Sequence, residues 1–267
     1  MTTVSARRSP NDTQPDGGAE RSRDIKDKGA LVTGGSSGIG RAASLLFAKR
    51  GAKVVVADIA FPGGEETASM IRSSGGEGLF VKADVSRDAE VKALVEKTVS
   101  AYGRLDYAFN NAGVFTGLVP LAEYTEEMWE KNINTNLKGV WLCMKHEIPR
   151  MVEGGGGAIV NTSSIAGLIA FPGHYGYIAS KSGINGITKV AAVEFAKSGV
   201  RVNAICPAFI VTPMVQDLLA EEYKALHPIG RFGRPEEVAA TAVWLCSDEA
   251  SFITGQALAV DGGYTLP

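Results

Sequence analysis

The stretch "TGGSSGIG", residues 33–40, follows the apolar run "GALVT" (29–33) and leads directly into "RAASLLFAKR" (41–50). A buried strand, a glycine turn and an amphipathic helix in that order open an α/β sheet, because the helix carries the chain back across the sheet face. Outward from there the same alternation continues. "AKVVVAD" (52–58), "EGLFVKAD" (77–84), "LDYAFNN" (105–111), "GAIVNTSS" (157–164), "VRVNAIC" (200–206) and "QALAVDGG" (256–263) are short, rich in Val, Ile and Ala, and bounded by Gly or polar residues, as buried strands are. Helical segments are expected near 38–50, 64–74, 87–102, 125–152, 174–197 and 235–247. In the third, Val91, Leu94, Val95, Thr98 and Val99 recur at helical spacing. The pattern predicts an α/β fold of Rossmann type, a doubly wound parallel sheet of about seven strands in a single domain over 29–267. The four glycines 154–157 read as a loop entering a strand.

Composition narrows the possibilities further. A chain of 267 residues that is 45% hydrophobic, with a net charge of −2, is an ordinary globular protein large enough for one sizeable core. No basic run exceeds Arg7-Arg8, so no nucleic-acid partner is expected. No run of about 18 apolar residues exists to span a membrane, and no metal site is expected. Cys143, Cys206 and Cys246 form neither a CxxC pair nor an even disulfide set, and read as buried thiols in a reducing compartment. Residues 1–28 are polar, rich in Pro, Gly, Asp and Arg, and have no apolar signal core; they are expected to be a disordered tail on a cytoplasmic protein.

The glycine turn fits two patterns at once. Residues 34–38 match G-x-S-x-G, the nucleophile elbow of hydrolases with Ser36 as nucleophile. Gly34, Gly38 and Gly40 also match a dinucleotide loop with spacing G-x-x-x-G-x-G. Position decides between them. An elbow needs an oxyanion-hole loop from an earlier strand, and only the polar tail precedes Ser36. A dinucleotide loop needs the first strand and then an acid at the end of the second, for the ribose hydroxyls. Asp58 stands there, 18 residues after Gly40. A P-loop is excluded, since the chain contains no Gly-Lys pair.

Over residues 28–267 the chain resembles the short-chain dehydrogenase/reductase family. "TGGSSGIG" is similar to that family's cofactor turn, "NNAG" (110–113) to its fourth-strand motif and "YIASK" (177–181) to its Y-x-x-x-K. "IVNTSS" (159–164) resembles the serine strand, "NTNLKG" (134–139) the asparagine segment and "CPAFIVTPM" (206–214) the P-G-x-x-x-T loop. Two positions depart: Ala208 replaces the usual glycine of the last motif, and Gly29 sits where a β-branched residue is common. The resemblance implies Asn136, Ser164, Tyr177 and Lys181 as the catalytic set. It implies NAD contacts from Gly34, Ser36, Ser37, Gly38, Ile39, Gly40, Asp58, Ile59, Asp84, Val85, Asn111, Tyr177, Lys181, Ile210 and Thr212. It also implies a homo-oligomer, a tetramer. On residues alone, a cap or kink is the competing reading of Asn136, and Asp84 could cap the helix near Arg87.

The chemistry of the residues points the same way. A phenol with a pKa near 10 is a poor proton donor or acceptor at neutral pH. A lysine one helical turn away, at i+4, together with a positive nicotinamide ring, favours the phenolate. That spacing joins Tyr177, not Tyr175, to Lys181. Ser164, at a strand end, is placed to hold the substrate oxygen. Tyr175 and His174 either line the substrate cleft or pack against a loop.

The expected activity is hydride transfer between NAD(H) and a small neutral secondary alcohol or ketone, with Tyr177 as general acid/base. NAD is expected over NADP because Asp58 repels a 2′-phosphate and neither Ser37 nor Ile59 offers a cation. The substrate cleft is expected between "PMVQDLLAEEYKALHPIGRF" (213–232) and "GLIAFPGHY" (167–175), both largely apolar. Two alternatives remain: a 3-oxoacyl-thioester (acyl-carrier) reductase, for which Arg231 and Arg234 offer basic residues, and a dinucleotide-binding regulator without turnover.

Overall fold

The computed structural model describes residues 25–266. Strands β1 (Gly29–Thr33), β2 (Lys53–Asp58), β3 (Gly78–Lys82), β4 (Tyr107–Asn110), β5 (Gly157–Thr162), β6 (Val200–Pro207) and β7 (Ala257–Val260) form one seven-stranded sheet in the order β3-β2-β1-β4-β5-β6-β7. Every pairing is parallel, so each connection is a crossover. The crossovers carry α1 (Gly38–Lys49), α2 (Phe61–Ser73), α3 (Asp88–Tyr102), α4 (Glu126–Asn132), α5 (Gly139–Glu153), α6 (Tyr175–Phe195), α7 (Glu221–Ala225) and α8 (Pro235–Cys246).

All five residues of β1 are buried, as expected where helices cover both faces. The strand pleat divides them. Ala30 and Val32 join a core with Phe47 of α1, Ile71 of α2 and Val238 of α8. Leu31 points the other way, into a core with Leu94 of α3, Met144 of α5 and Ile184 of α6. Burying side chains as large as Phe47 or Leu31 contributes roughly 1.5–3 kcal/mol each. The strand order reverses between β1 and β4, and the crevice beyond their carboxyl ends is where such sheets bind ligands.

The structure departs from the sequence expectation at four points. The fold begins before residue 29: Ile25 is fully buried in the first core, and the Asp27 amide donates to the Gly51 carbonyl at 2.9 Å. Residues 1–24 of the expected tail lie outside the described residues. Helix α2 starts at Phe61, since Pro62 sits in its first turn, where a missing N–H is harmless. The single helix expected over 125–152 is broken by a π-helical segment, Ile133–Lys138, between α4 and α5. Gly29 is no weak point of β1, because a Cβ there would run into the Arg104 carbonyl.

Among the described residues no helix is long and apolar enough to cross a membrane, and no group of His, Cys, Asp or Glu is arranged to hold a metal. All three cysteines are buried free thiols.

Candidate active site

A cavity of about 270 Å³ opens at the strand-order reversal. Its floor is the glycine turn. Gly34 adopts φ +66°, which favours glycine, and a Cβ on Gly40 would strike the Gly34 carbonyl. Ser37 precedes α1 without a capping side-chain bond, and the first turn carries no acid. The leading N–H groups of α1 are therefore uncapped, and the helix end favours an anion. Beside the turn Asp58 closes β2, its carboxylate accepting from the amides of Ser36 at 3.1 Å and Ala60 at 2.9 Å. A turn for a pyrophosphate and an acid for ribose hydroxyls share one wall, so these residues fit a dinucleotide. Among the described residues no histidine bonds to Ser36, as a triad would require, and its carbonyl accepts from Arg41 at 2.6 Å.

The opposite wall comes from β4, β5 and α6. Asn111 ties β4 to the turn, its amide nitrogen donating to the carbonyls of Thr33 at 3.2 Å and Gly34 at 3.3 Å. Ser164 and Tyr177 line the cavity side by side, and the Ser164 hydroxyl accepts from the Ala166 amide at 3.1 Å. Lys181 is 4% exposed; its Nζ donates to the Thr162 carbonyl at 2.7 Å and lies 5.5 Å from the centre of the Tyr177 ring. Burial pulls this ammonium down to about 8, with Cys206 opposing weakly. Burial raises the Tyr177 phenol above its ordinary value, and the Ser164 hydroxyl opposes that rise. The lowered phenol expected from sequence is therefore not a property of these side chains alone: desolvation outweighs the hydroxyl.

The two tyrosines separate clearly. Tyr177 faces the cavity. Tyr175 is 40% exposed and packs edge-on against Tyr124, with 5.9 Å between ring centres. The two serines separate as well, since the Ser163 hydroxyl is taken by the Lys181 carbonyl at 2.9 Å.

Of the other expected residues, Gly34, Ser36, Ser37, Gly38, Ile39, Asp58, Ile210 and Thr212 line the cavity. Gly40 packs beneath the turn, and Ile59 is exposed outside the cavity. Asp84 and Val85 also lie off the cavity lining. Asp84 accepts from the Ser86 amide and hydroxyl, at 2.9 and 2.7 Å, and pairs with Arg87. Burial raises its carboxyl, but these partners outweigh it and hold the group below its ordinary value. Val85 packs with Val91, Leu142 and Cys143. Asn136 is fully buried in the π-helical segment and bonds Val114 and Ser180. It does not line the cavity. Ala208 keeps an ordinary negative φ: among the described residues the sole non-glycine with positive φ is Asp27. The loop after β6 therefore does not require the family's glycine.

A smaller lobe of about 70 Å³ adjoins Ser164 and Tyr177 and is lined by Phe115, Phe171, His174, Phe209, Met214 and Val215. Met214, Val215, Phe171 and His174 lie in the two segments expected to form it. Phe115 and Phe209 were not singled out by the sequence; their signal was an aromatic directly after "NNAGV" and another inside "CPAFIVTPM". His227, Ile229 and Arg231 line a separate cavity behind β7.

The family model described as enoyl-(acyl carrier protein) reductase matches residues 34–265. The chain is 45% identical over 249 residues to a 2,5-dichloro-2,5-cyclohexadiene-1,4-diol dehydrogenase of Sphingobium indicum, covering 91% of this chain and 98% of that protein. It is 44% identical over 244 residues to a cyclohexanol dehydrogenase of Acinetobacter sp., covering 91% and 97%. A solved 3-ketoacyl-(acyl-carrier-protein) reductase from Brucella melitensis, complexed with NADH, matches with a TM-score of 0.87 at 35% identity, over 91% of this chain and 100% of that one.

Proposed function

The chain belongs to the short-chain dehydrogenase/reductase family, and from that premise we propose that it interconverts small neutral cyclic secondary alcohols and their ketones, preferring NAD(H). A bound nicotinamide cofactor supplies the site that takes or gives the hydride. The chain's own residues do the rest. Ser164 holds the substrate oxygen by a hydrogen bond, and Tyr177 moves one proton at that same oxygen. Lys181, buried beside the phenol, supplies the positive charge that stabilises the phenolate when the proton leaves. Asn136 keeps Val114 and α6 in register, and the aromatic lobe excludes water from the reacting centre.

One observation carries the reading: Ser164, Tyr177 and Lys181 share a wall of the cavity whose other wall is the uncapped end of α1 and Asp58. NAD preference rests on Asp58 and on the engagement of Arg41, whose guanidinium is spent on the Ser36 carbonyl and Glu66. A homotetramer and a cytoplasmic setting complete the proposal, by likeness to the family.

The acyl-carrier alternative draws on the family model and on the solved ketoacyl reductase. It needs free cations at the cleft mouth for a phosphopantetheine phosphate. Arg231 and Arg234 were the candidates. Arg231 forks onto Glu237 at 2.8 and 2.7 Å, and Arg234 pairs with the same carboxylate at 3.4 Å. The Arg231 hydrogen bonds and the neighbouring Arg234 hold the Glu237 carboxyl at about 2, so it is ionised, occupies the Arg231 fork and offsets one of the two positive charges. The alcohol reading is therefore favoured. The test compares kcat/KM for cyclohexanol and cyclohexanone, followed by nicotinamide absorbance, with that for an acetoacetyl thioester. Preference for the ring substrates is expected; preference for the thioester would promote the alternative.

A further inference from the structure

His174 closes the small lobe beside Tyr177, and aromatic rings hold it in place. Phe115 stacks on it with 5.2 Å between ring centres, Phe171 lies at 5.4 Å and Tyr177 at 6.4 Å. Its Nδ1 is 2.9 Å from the Pro172 carbonyl oxygen. A carbonyl oxygen only accepts, so Nδ1 carries the proton, and Nε2 of the neutral ring is a bare acceptor. Among the described residues none donates to Nε2.

The lining of the lobe sharpens the point. Apart from Ser164 and Tyr177, which serve the reacting oxygen, His174 is its one strongly polar side chain; the remainder is Phe115, Ile165, Ala166, Phe171, Ala208, Phe209, Met214 and Val215. His174 directly precedes α6 and stands three residues before Tyr177, on the same side of the helix. A ring whose reacting oxygen lies at Tyr177 is thus offered one further polar contact, and that contact accepts.

We infer that Nε2 of His174 receives a second hydroxyl of the substrate, so that the preferred substrates are cyclic diols and hydroxyketones. A second carbonyl or an ether oxygen at that position sets acceptor against acceptor and is disfavoured. The inference rests on the alcohol–ketone reading above and narrows it. The Pro172 carbonyl enters as the group that fixes the tautomer: it makes His174 select a donor.

The test uses the whole protein and three alcohols: cyclohexanol, cyclohexane-1,4-diol and 4-methoxycyclohexanol. In the native protein kcat/KM for the diol should exceed that for the methyl ether by roughly tenfold, the worth of one well-placed hydrogen bond. His174→Phe keeps the ring stack and removes the acceptor, and the diol-to-ether ratio should fall towards one. The ratio is the readout, so a general loss of activity does not mimic the result. A native ratio within about twofold of one overturns the inference even if the variant fails to fold. So does a tenfold ratio that survives in His174→Phe. Absence of turnover with all three alcohols would overturn the alcohol reading itself and the inference with it, an outcome distinct from turnover without preference.

Discussion

Asn136 holds both backbone polar groups of Val114: its amide oxygen accepts from the Val114 N–H at 2.8 Å, and its amide nitrogen donates to the Val114 carbonyl at 3.0 Å. The same nitrogen donates to the Ser180 hydroxyl at 3.2 Å. One fully buried side chain thus fastens the loop after β4 to the helix that carries Tyr177 and Lys181. Asn136 sits in the π-helical turn between α4 and α5 and is its buried residue.

Asn136→Leu removes these bonds while keeping similar bulk, and leaves the Val114 N–H and carbonyl without their partner. The expected cost is about 2–4 kcal/mol of unfolding free energy, with a fall in kcat measured well below the melting temperature. Urea unfolding and steady-state kinetics check it together. An unchanged unfolding midpoint would show that these bonds do not hold the wall.

Asp58 should set the cofactor. Wild-type kcat/KM for NAD should exceed that for NADP by at least about tenfold, and Asp58→Ser should narrow the gap from both sides. Equal use of the two cofactors by the native protein would contradict this.

Glu147 is fully buried; Asn110 donates to its Oε2 at 3.0 Å, and its Oε1 has no hydrogen-bond partner among the described residues. Burial raises its carboxyl to about 7, with the Asn110 bond opposing the rise. The native state then keeps a proton that the unfolded chain releases near pH 4.5. Between those values the native state binds more protons, so stability falls as pH rises from about 4.5 to 7. The expected loss is of the order of 1–3 kcal/mol between pH 5 and 8. Glu147→Gln cannot ionise and should flatten the dependence in denaturant titrations at several pH values. A variant as pH-dependent as the native protein would assign the effect elsewhere.

Ile25 anchors the segment before β1. Ile25→Ala should destabilise the fold by about 2–5 kcal/mol, whereas removing residues 1–24 should leave activity and Tm nearly unchanged. A drop of several degrees on that truncation would show that the removed residues contribute to the fold.

The sheet was legible because its strands are buried on both faces: "GALVT" and "KVVVAD" are continuous apolar runs that a surface strand would not carry. The glycine turn with Asp58 was legible because a phosphate cradle and a ribose acid follow the chain closely. What stayed hidden depends on contacts distant in sequence. Ile25 looked like part of a polar tail because its partners, such as Phe47 and Val54, come later in the chain. The π turn between α4 and α5 is fixed by bonds such as Asn136 to Val114 and Ser180, which no residue pattern within 125–152 announces. The lobe brings Phe115, Phe171 and Phe209 together from three separate loops, and no spacing rule joins them. His174 and Tyr175 could not be separated by sequence, because which neighbour faces the cleft depends on how α6 begins.

If Tyr177 alone moves the proton, its loss and that of Tyr175 must differ sharply. Tyr177→Phe should bind NADH within a few fold of the native protein, read by nicotinamide fluorescence. Its kcat with cyclohexanol should fall on the order of a thousandfold, while Tyr175→Phe stays within a few fold of the native value. Comparable losses in the two variants, or a larger loss in Tyr175→Phe, would contradict the account.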